Sequence, residues 1–211
     1  MSKISAVILA GGKSKRFGKN KAFFKIGGII LIDQIVEKMG KLSNEIIIVT
    51  NILKKLDYLT KKFNYLNIKL IKDIIPHKGS LGGIYSGLLF AKNNSIFVVA
   101  CDMPFLNTSL LKYIISFSEE YDVIIPKINN FFEPLHAIYS KKCLKPIKKL
   151  IYENNLKIID FFKYVDVKCI EKNEIEKFDP EFLSIFNINT LEDLKEATEI
   201  CTRLSSVAKG K

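Results

Sequence analysis

Two segments of this chain, Ile4-Ser5-Ala6-Val7-Ile8-Leu9-Ala10 and Ile96-Phe97-Val98-Val99-Ala100-Cys101, are apolar almost without interruption. A strand that is wet on one face alternates polar with apolar residues. Runs like these therefore belong in a sheet covered on both faces, as when helices flank a mostly parallel one. The intervening stretches fit that frame. Apolar spacing predicts helices over 31–42, 54–63 and 83–92, and short β-rich runs predict strands over 45–50 and 68–72. Further on, 107–119 reads as a helix capped by Asn107 or Thr108, 121–126 and 131–139 as strands, 141–153 and 156–162 as helices. A strand over 165–170 and a last helix over 191–203 complete the pattern. The fold class that follows is α/β, three-layered and doubly wound, with a mostly parallel central sheet.

A chain of 211 residues can bury one sizeable core. Residues 1–204 are read as a single domain with a first half of about 1–106 and a second of about 107–204, and 205–211 as an unordered tail. The first apolar run is too short for a bilayer span and has neither the basic flank nor the cleavage site of a leader, which predicts a cytoplasmic protein that does not engage membranes. Cys101, Cys143, Cys169 and Cys201 stand far apart with no C-x-x-C pair, so they read as reduced thiols. The net charge of +11 suits anionic partners or a lysine-rich solvated surface. The chain's two arginines, Arg16 and Arg203, are too few for the bidentate reading of base edges, and no nucleic-acid partner is expected.

Directly behind the first strand comes Gly11-Gly12-Lys13-Ser14-Lys15-Arg16-Phe17-Gly18-Lys19-Asn20-Lys21. Glycines at the carboxyl end of a strand let backbone N–H groups approach an anion, and open α/β sheets bind their ligands at that end. Lysine and arginine add the counter-charge. The P-loop spacing fails, because counting from Gly12 the second glycine arrives one place late, at Gly18, and Lys19 precedes Asn20 rather than Ser or Thr. The G-x-G-x-x-G fingerprint fails as well, since Gly11 is followed by Gly12 and Lys13.

What remains, L-A-G-G-x-S-x-R-F-G-x-N-K, resembles the signature L-A-G-G-x-S-x-R-M-G-x-D-K of the nucleotidyltransferases of molybdenum-cofactor biosynthesis. The resemblance implies a Rossmann-like nucleotidyltransferase fold. In it Leu9, Ala10 and Gly11 touch base and ribose, while Gly12, Ser14, Arg16 and Lys21 surround a triphosphate. Arg16 and Lys21 would offset charge on the leaving pyrophosphate. Asn20 stands where the family has aspartate, and it either orients Lys21 or weakens the site.

Four further segments follow in the family's order. Lys78-Gly79-Ser80-Leu81-Gly82-Gly83 resembles the family's G-P-L-[AG]-G turn, with Ser80 for proline, and precedes a helix whose free N–H groups favour an anion or a base edge. This puts Gly82 and Gly83 at the nucleotide, against the alternative of a plain turn before a helix. Asp102 ends the second apolar run, where a carboxylate can hold Mg²⁺ against a triphosphate. Asp73 corresponds to a nucleotide-contacting residue or is a turn aspartate, and Asn51 is a looser nucleotide match whose role could pass to Thr50. In the second half, 129–140 resembles a segment ending P-L-x-A-L-Y, and Phe186-Asn187-Ile188-Asn189-Thr190 resembles N-[IV]-N-T. Asn187 and Asn189 would then face the acceptor, although an asparagine before a helix is also a cap, and Thr190 with Asp193 could form a capping box instead. His136 reads as packing or pocket lining.

The implied activity is transfer of GMP from Mg-GTP to the terminal phosphate of molybdopterin. Implied partners are GTP, molybdopterin, and proteins of cofactor synthesis or molybdoenzyme maturation. A cytidylyltransferase using CTP and a non-catalytic nucleotide or pterin carrier are the competing readings. The A-A-G-x-G-T-R loop of sugar-phosphate nucleotidyltransferases is absent from this position.

Overall fold

The computed structural model describes residues 4–11 and 20–209. Strand β1 (Ile4–Leu9) precedes a 3-10 turn (Lys21–Phe23), the short strands β2 (Lys25–Ile26) and β3 (Ile29–Ile30), helix α1 (Leu31–Gly40) and strand β4 (Glu45–Val49). Then come α2 (Leu53–Leu56), α3 (Tyr58–Lys62), β5 (Asn67–Ile71), α4 (Gly79–Phe90), β6 (Ser95–Ala100) and α5 (Thr108–Ile115). The chain continues through β7 (Val123–Ile128), β8 (Phe131–Phe132), β9 (His136–Ser140), α6 (Leu144–Tyr152), β10 (Val167–Glu171), α7 (Lys172–Ile175) and α8 (Leu191–Lys209).

One sheet runs in the order β10-β7-β9-β6-β1-β4-β5, with β8 paired to β7. Strands β5, β4, β1 and β6 are parallel neighbours, and β10 is parallel to β7. Strand β9 opposes both β6 and β7, so those two run the same way and share a carboxyl edge. Successive residues of the central strands fill opposite layers. Ile8, Ile48 and Val99 pack with Ile35 and Met39 of α1, Leu110 of α5 and Ala197 of α8. Val7, Ile47 and Val98 pack with Ile84 and Leu88 of α4 and Ile147 of α6. Covering both faces is the reason these strands read as continuous apolar runs. None of the described helices is long and apolar enough to cross a membrane.

The structure departs from the sequence reading at several joints. The helix expected over 54–63 is two short ones, α2 and α3, meeting at Asp57. The strand expected over 131–139 is broken at Glu133-Pro134-Leu135, where proline has no N–H for the ladder, leaving β8 and β9. The segment 156–162 is not an α-helix but part of a 3-10 stretch, Ile158–Tyr164. Helix α8 runs past the expected 191–203 to Lys209, and the Ser205 hydroxyl donates to the Cys201 carbonyl at 2.8 Å. Extending a formed helix adds a hydrogen bond without a new nucleation cost. The β2–β3 hairpin had no periodicity to betray it. Its turn residues Gly27 and Gly28 have φ of +58° and +81°, and a Cβ on Gly27 would lie 2.6 Å from Cys201 Sγ on α8.

Candidate active site

The carboxyl ends of β1, β4 and β6 are tied side by side. Ala10 N donates to Val49 O at 2.9 Å, Cys101 N to Leu9 O at 3.1 Å, and the Thr50 hydroxyl to Ala10 O at 3.1 Å. Gly11 emerges from that platform. A Cβ there would meet nothing closer than Val49 O at 3.7 Å, an ordinary contact, so packing among the described residues does not demand glycine. Close approach of a ligand would. Gly12, Ser14 and Arg16 lie outside the described residues. Asn51 is exposed beside Gly11, whereas Thr50 is buried and committed to the backbone.

Three segments distant in sequence meet at Lys21. Its Nζ lies 3.2 Å from Asp102 Oδ2 and 3.0 Å from Asn189 Oδ1. The local structure explains each placement. Asn20 Oδ1 accepts from Ala22 N at 3.0 Å and so caps the 3-10 turn that presents Lys21. Asp102 follows β6, and its carbonyl accepts from Ile188 N at 2.9 Å, joining the Asn187–Thr190 turn to the end of the central strand. That turn is capped by Thr190 and Asp193: the Asp193 carboxylate accepts from Asn189 N and Thr190 N, and Thr190 Oγ1 accepts from Asp193 N. Those backbone bonds hold the Asp193 carboxyl below the usual carboxylate range. Because the box does the capping, the Asn189 side chain is available to Lys21. Asn187 instead turns back locally, its Nδ2 donating to Ile185 O at 2.8 Å.

On the far side of β1 a cleft of about 330 Å³ is lined by Leu9, Gly11, Val49, Asp73, Gly79, Ser80 and Gly83. The amino terminus of α4 opens into it, with no side-chain cap on Lys78, so free backbone N–H groups and the helix dipole face the cleft. Gly83 has a packing role too: a Cβ would come within 2.9 Å of Leu9 Cδ2, so glycine lets α4 close onto β1. Gly82 does not line the cleft, and its constraint is Lys78 Cβ at 3.0 Å and Ile75 O at 3.2 Å. Asp73 sits in the wall with Oδ1 buried and without a hydrogen-bond partner among the described residues. Burial pushes its carboxyl up, against the opposing influence of the Ser86 hydroxyl.

His136 is fully buried under Phe97, ring centroids 5.7 Å apart in a T-shaped contact, and burial drives its imidazole down to about 3. It stays neutral and enclosed. Sequence reasoning passed over Lys38, whose Nζ donates to Pro104 O at 2.9 Å and so braces the loop behind Asp102. Burial lowers its ammonium to about 8. A lysine on an amphipathic helix carries no signal that separates such a role from a solvated one.

The family model of the MobA-like NTP transferase domain matches residues 6–165. A "Probable molybdenum cofactor guanylyltransferase" from Natranaerobius thermophilus is 38% identical over 198 residues, 92% of this chain and 94% of the relative. A "Molybdenum cofactor guanylyltransferase" from Desulfosudis oleivorans is 36% identical, covering 93% of this chain and 95% of the relative. Among solved structures, molybdopterin-guanine dinucleotide biosynthesis protein A from Archaeoglobus fulgidus superposes with a TM-score of 0.80 at 30% identity, over 95% of this chain and 100% of that one. With the strand order, the glycine platform and the Lys21–Asp102–Asn189 junction in place, the chain belongs to the MobA-like NTP transferase family and is a nucleotidyltransferase.

Proposed function

We propose that this enzyme transfers GMP from metal-bound GTP to the terminal phosphate of molybdopterin. An oxygen of the acceptor phosphate attacks the α-phosphorus, the bond between that phosphorus and the α–β bridging oxygen breaks, and pyrophosphate leaves. The acceptor needs no base, since a phosphate is already anionic at neutral pH, and positioning with electrostatics carries such reactions. Lys21 is held at the junction to meet negative charge on the phosphates. Asp102 Oδ2 and Asn189 Oδ1 are hard oxygen donors, the pair a Mg²⁺ ion accepts when phosphates complete its shell, so these residues would hold it. When bound, such an ion neutralises charge on the triphosphate oxygens.

The observation that carries the choice of base is Asp73, which presents in the wall of a cleft a buried carboxylate oxygen without a partner among the described residues. A carboxylate only accepts, and it is best matched by two adjacent donors. Guanine offers N1–H and the 2-amino group side by side, whereas cytosine offers a single amino group. Thermal unfolding with Mg²⁺ and each nucleotide tests this: GTP should raise the midpoint and CTP should not. Asp73→Asn should abolish the GTP shift and create one with XTP, whose 2-oxo group accepts from the new amide. A shift with CTP alone would replace this reading by cytidylyl transfer. A GTP shift with no pyrophosphate released in the presence of molybdopterin would leave a carrier.

A further inference from the structure

The strand register places a second recognition element level with Asp102. Phe97 on β6 pairs with Ile138 on β9, and Ile138 pairs with Ile124 on β7. Because β6 and β7 run the same way, four residues further on Ile128 stands level with Cys101, and the turn beyond Ile128 stands level with Asp102. Two strand spacings separate them, about 10 Å.

That turn is Asn129–Asn130, both left-handed with φ of +48° and +68°, and it leads into β8. The hairpin is braced behind. Phe132 meets the Phe162 ring edge-on with centroids 5.7 Å apart, and Lys127 Nζ sits 5.9 Å from the Phe132 centroid. Phe131 is presented outward, 75% exposed at the sheet's carboxyl edge. Two residues on, Glu133 has its backbone fixed at both ends: its N–H donates to Pro126 O and its carbonyl accepts from His136 N, each at 3.0 Å. Its side chain is half-buried, and burial alone, with no charge or hydrogen bond acting on it, pushes its carboxyl up.

Glu133 shares with Asp73 a half-buried carboxyl pushed up by burial, and it lies on the opposite flank of Asp102. Asp73 follows β5, three strands from β6 in one direction, and Glu133 precedes β9 and follows β8, on the other side. Two half-buried carboxylates with raised carboxyls flank the junction. A pterin carries the same 2-amino-4-oxopyrimidine edge as guanine, an N–H beside an amino group. Given the acceptor proposed above, on which this inference rests, we propose that the β7–β8 hairpin is its ring subsite: Phe131 stacks on the fused ring while the Glu133 carboxylate accepts from the ring N–H and 2-amino group.

The test is steady-state transfer with Mg-GTP and molybdopterin. Glu133→Gln and Phe131→Ala should each raise the acceptor KM about tenfold or more, the scale of losing one ring-stacking or charge-assisted contact. The KM for GTP and the GTP-induced rise in unfolding midpoint should stay at the wild-type values, which shows the variants folded. Ring fluorescence with free pterin and lumazine, its 2-oxo analogue, adds an independent readout. Wild type should prefer pterin, and Glu133→Gln should prefer lumazine, a reversal that loosened structure alone does not produce. Either variant keeping its acceptor KM within twofold of wild type would overturn the assignment. Wild type that binds GTP yet transfers nothing to molybdopterin would sink the acceptor itself, and the subsite with it.

Discussion

The two edges of the central sheet treat their carboxylates in opposite ways. At the amino edge, Glu45 accepts from the Ser5 hydroxyl, from Lys69 Nζ at 2.7 Å and from Lys92 N at 2.9 Å. Burial opposes its charge, but the bonds from Lys69, Ser5 and Lys92 outweigh it and hold the carboxyl below its usual value. Asp122 is saturated in the same way, by Ser140 Oγ, Lys142 Nζ and Asp166 N. At the carboxyl edge, Asp73 and Glu133 are half-buried with raised carboxyls: at Asp73 burial outweighs the Ser86 hydroxyl, and at Glu133 burial acts alone. Buried polar groups are ordinarily satisfied within the protein, so the first edge reads as structural, and the second is where the proposed ligands would supply the missing donors. His136 limits the rule. Its ring nitrogens find no close hydrogen-bond partner among the described residues, but the ring is fully enclosed against Phe97.

The largest test separates the edges by function. Asp102→Ala should lower kcat/KM about 1,000-fold, by analogy with removal of a group that stabilises developing charge, while shifting the urea midpoint little. A comparable loss of stability would mean that Asp102 belongs with the structural carboxylates. Glu45→Ala should do the reverse. It leaves the buried Ser5 hydroxyl and the part-buried Lys92 N–H without their acceptor and should cost about 1–3 kcal/mol in urea unfolding, with kcat/KM unchanged. The native carboxyl of Glu45 lies below its unfolded value of 4.5, so its stabilisation is present above pH 4.5 and disappears as pH falls through the native value.

His136 acts in a different pH window. Its native value of about 3 lies below the unfolded 6.5, so the unfolded chain takes up a proton first and stability falls as pH drops below 6.5. Between pH 6.5 and 5 this amounts to about 2 kcal/mol, which His136→Phe should remove from the difference between urea curves at those two pH values. Activity at pH 7.5 should be retained, and a large loss there would return His136 to the site. The smallest effect is expected at Asn20. Asn20→Ala removes a cap worth about 1 kcal/mol and should reduce kcat/KM several-fold by loosening Lys21, whereas Asn20→Asp keeps the acceptor oxygen and should match wild type.

The doubly wound frame was legible from the two apolar runs, and the glycine platform, Lys21 and Asp102 from their place behind those runs. Capping was half legible. Asn107 was a candidate and does cap α5, accepting from Ser109 N and Leu110 N, while the choice between Asn189 and the Thr190–Asp193 pair needed coordinates. The β2–β3 hairpin escaped because two-residue strands carry no period, and Lys38 because its acceptor is a backbone carbonyl 66 residues away. Gly82 and Gly83 looked alike in sequence, yet one meets its own turn and the other packs on Leu9.

Strand and helix periods, cap residues and the glycine-lysine loop are properties of neighbours along the chain, so local sequence by itself determined them. Which carboxylates are saturated and which are left open is a property of neighbours in space. Glu45 owes its state to residues 40 positions before it and 24 and 47 after it, and Lys21 to partners 81 and 168 residues on. Only the tertiary structure decides that, because a hydrogen bond depends on distance and direction and not on separation along the chain.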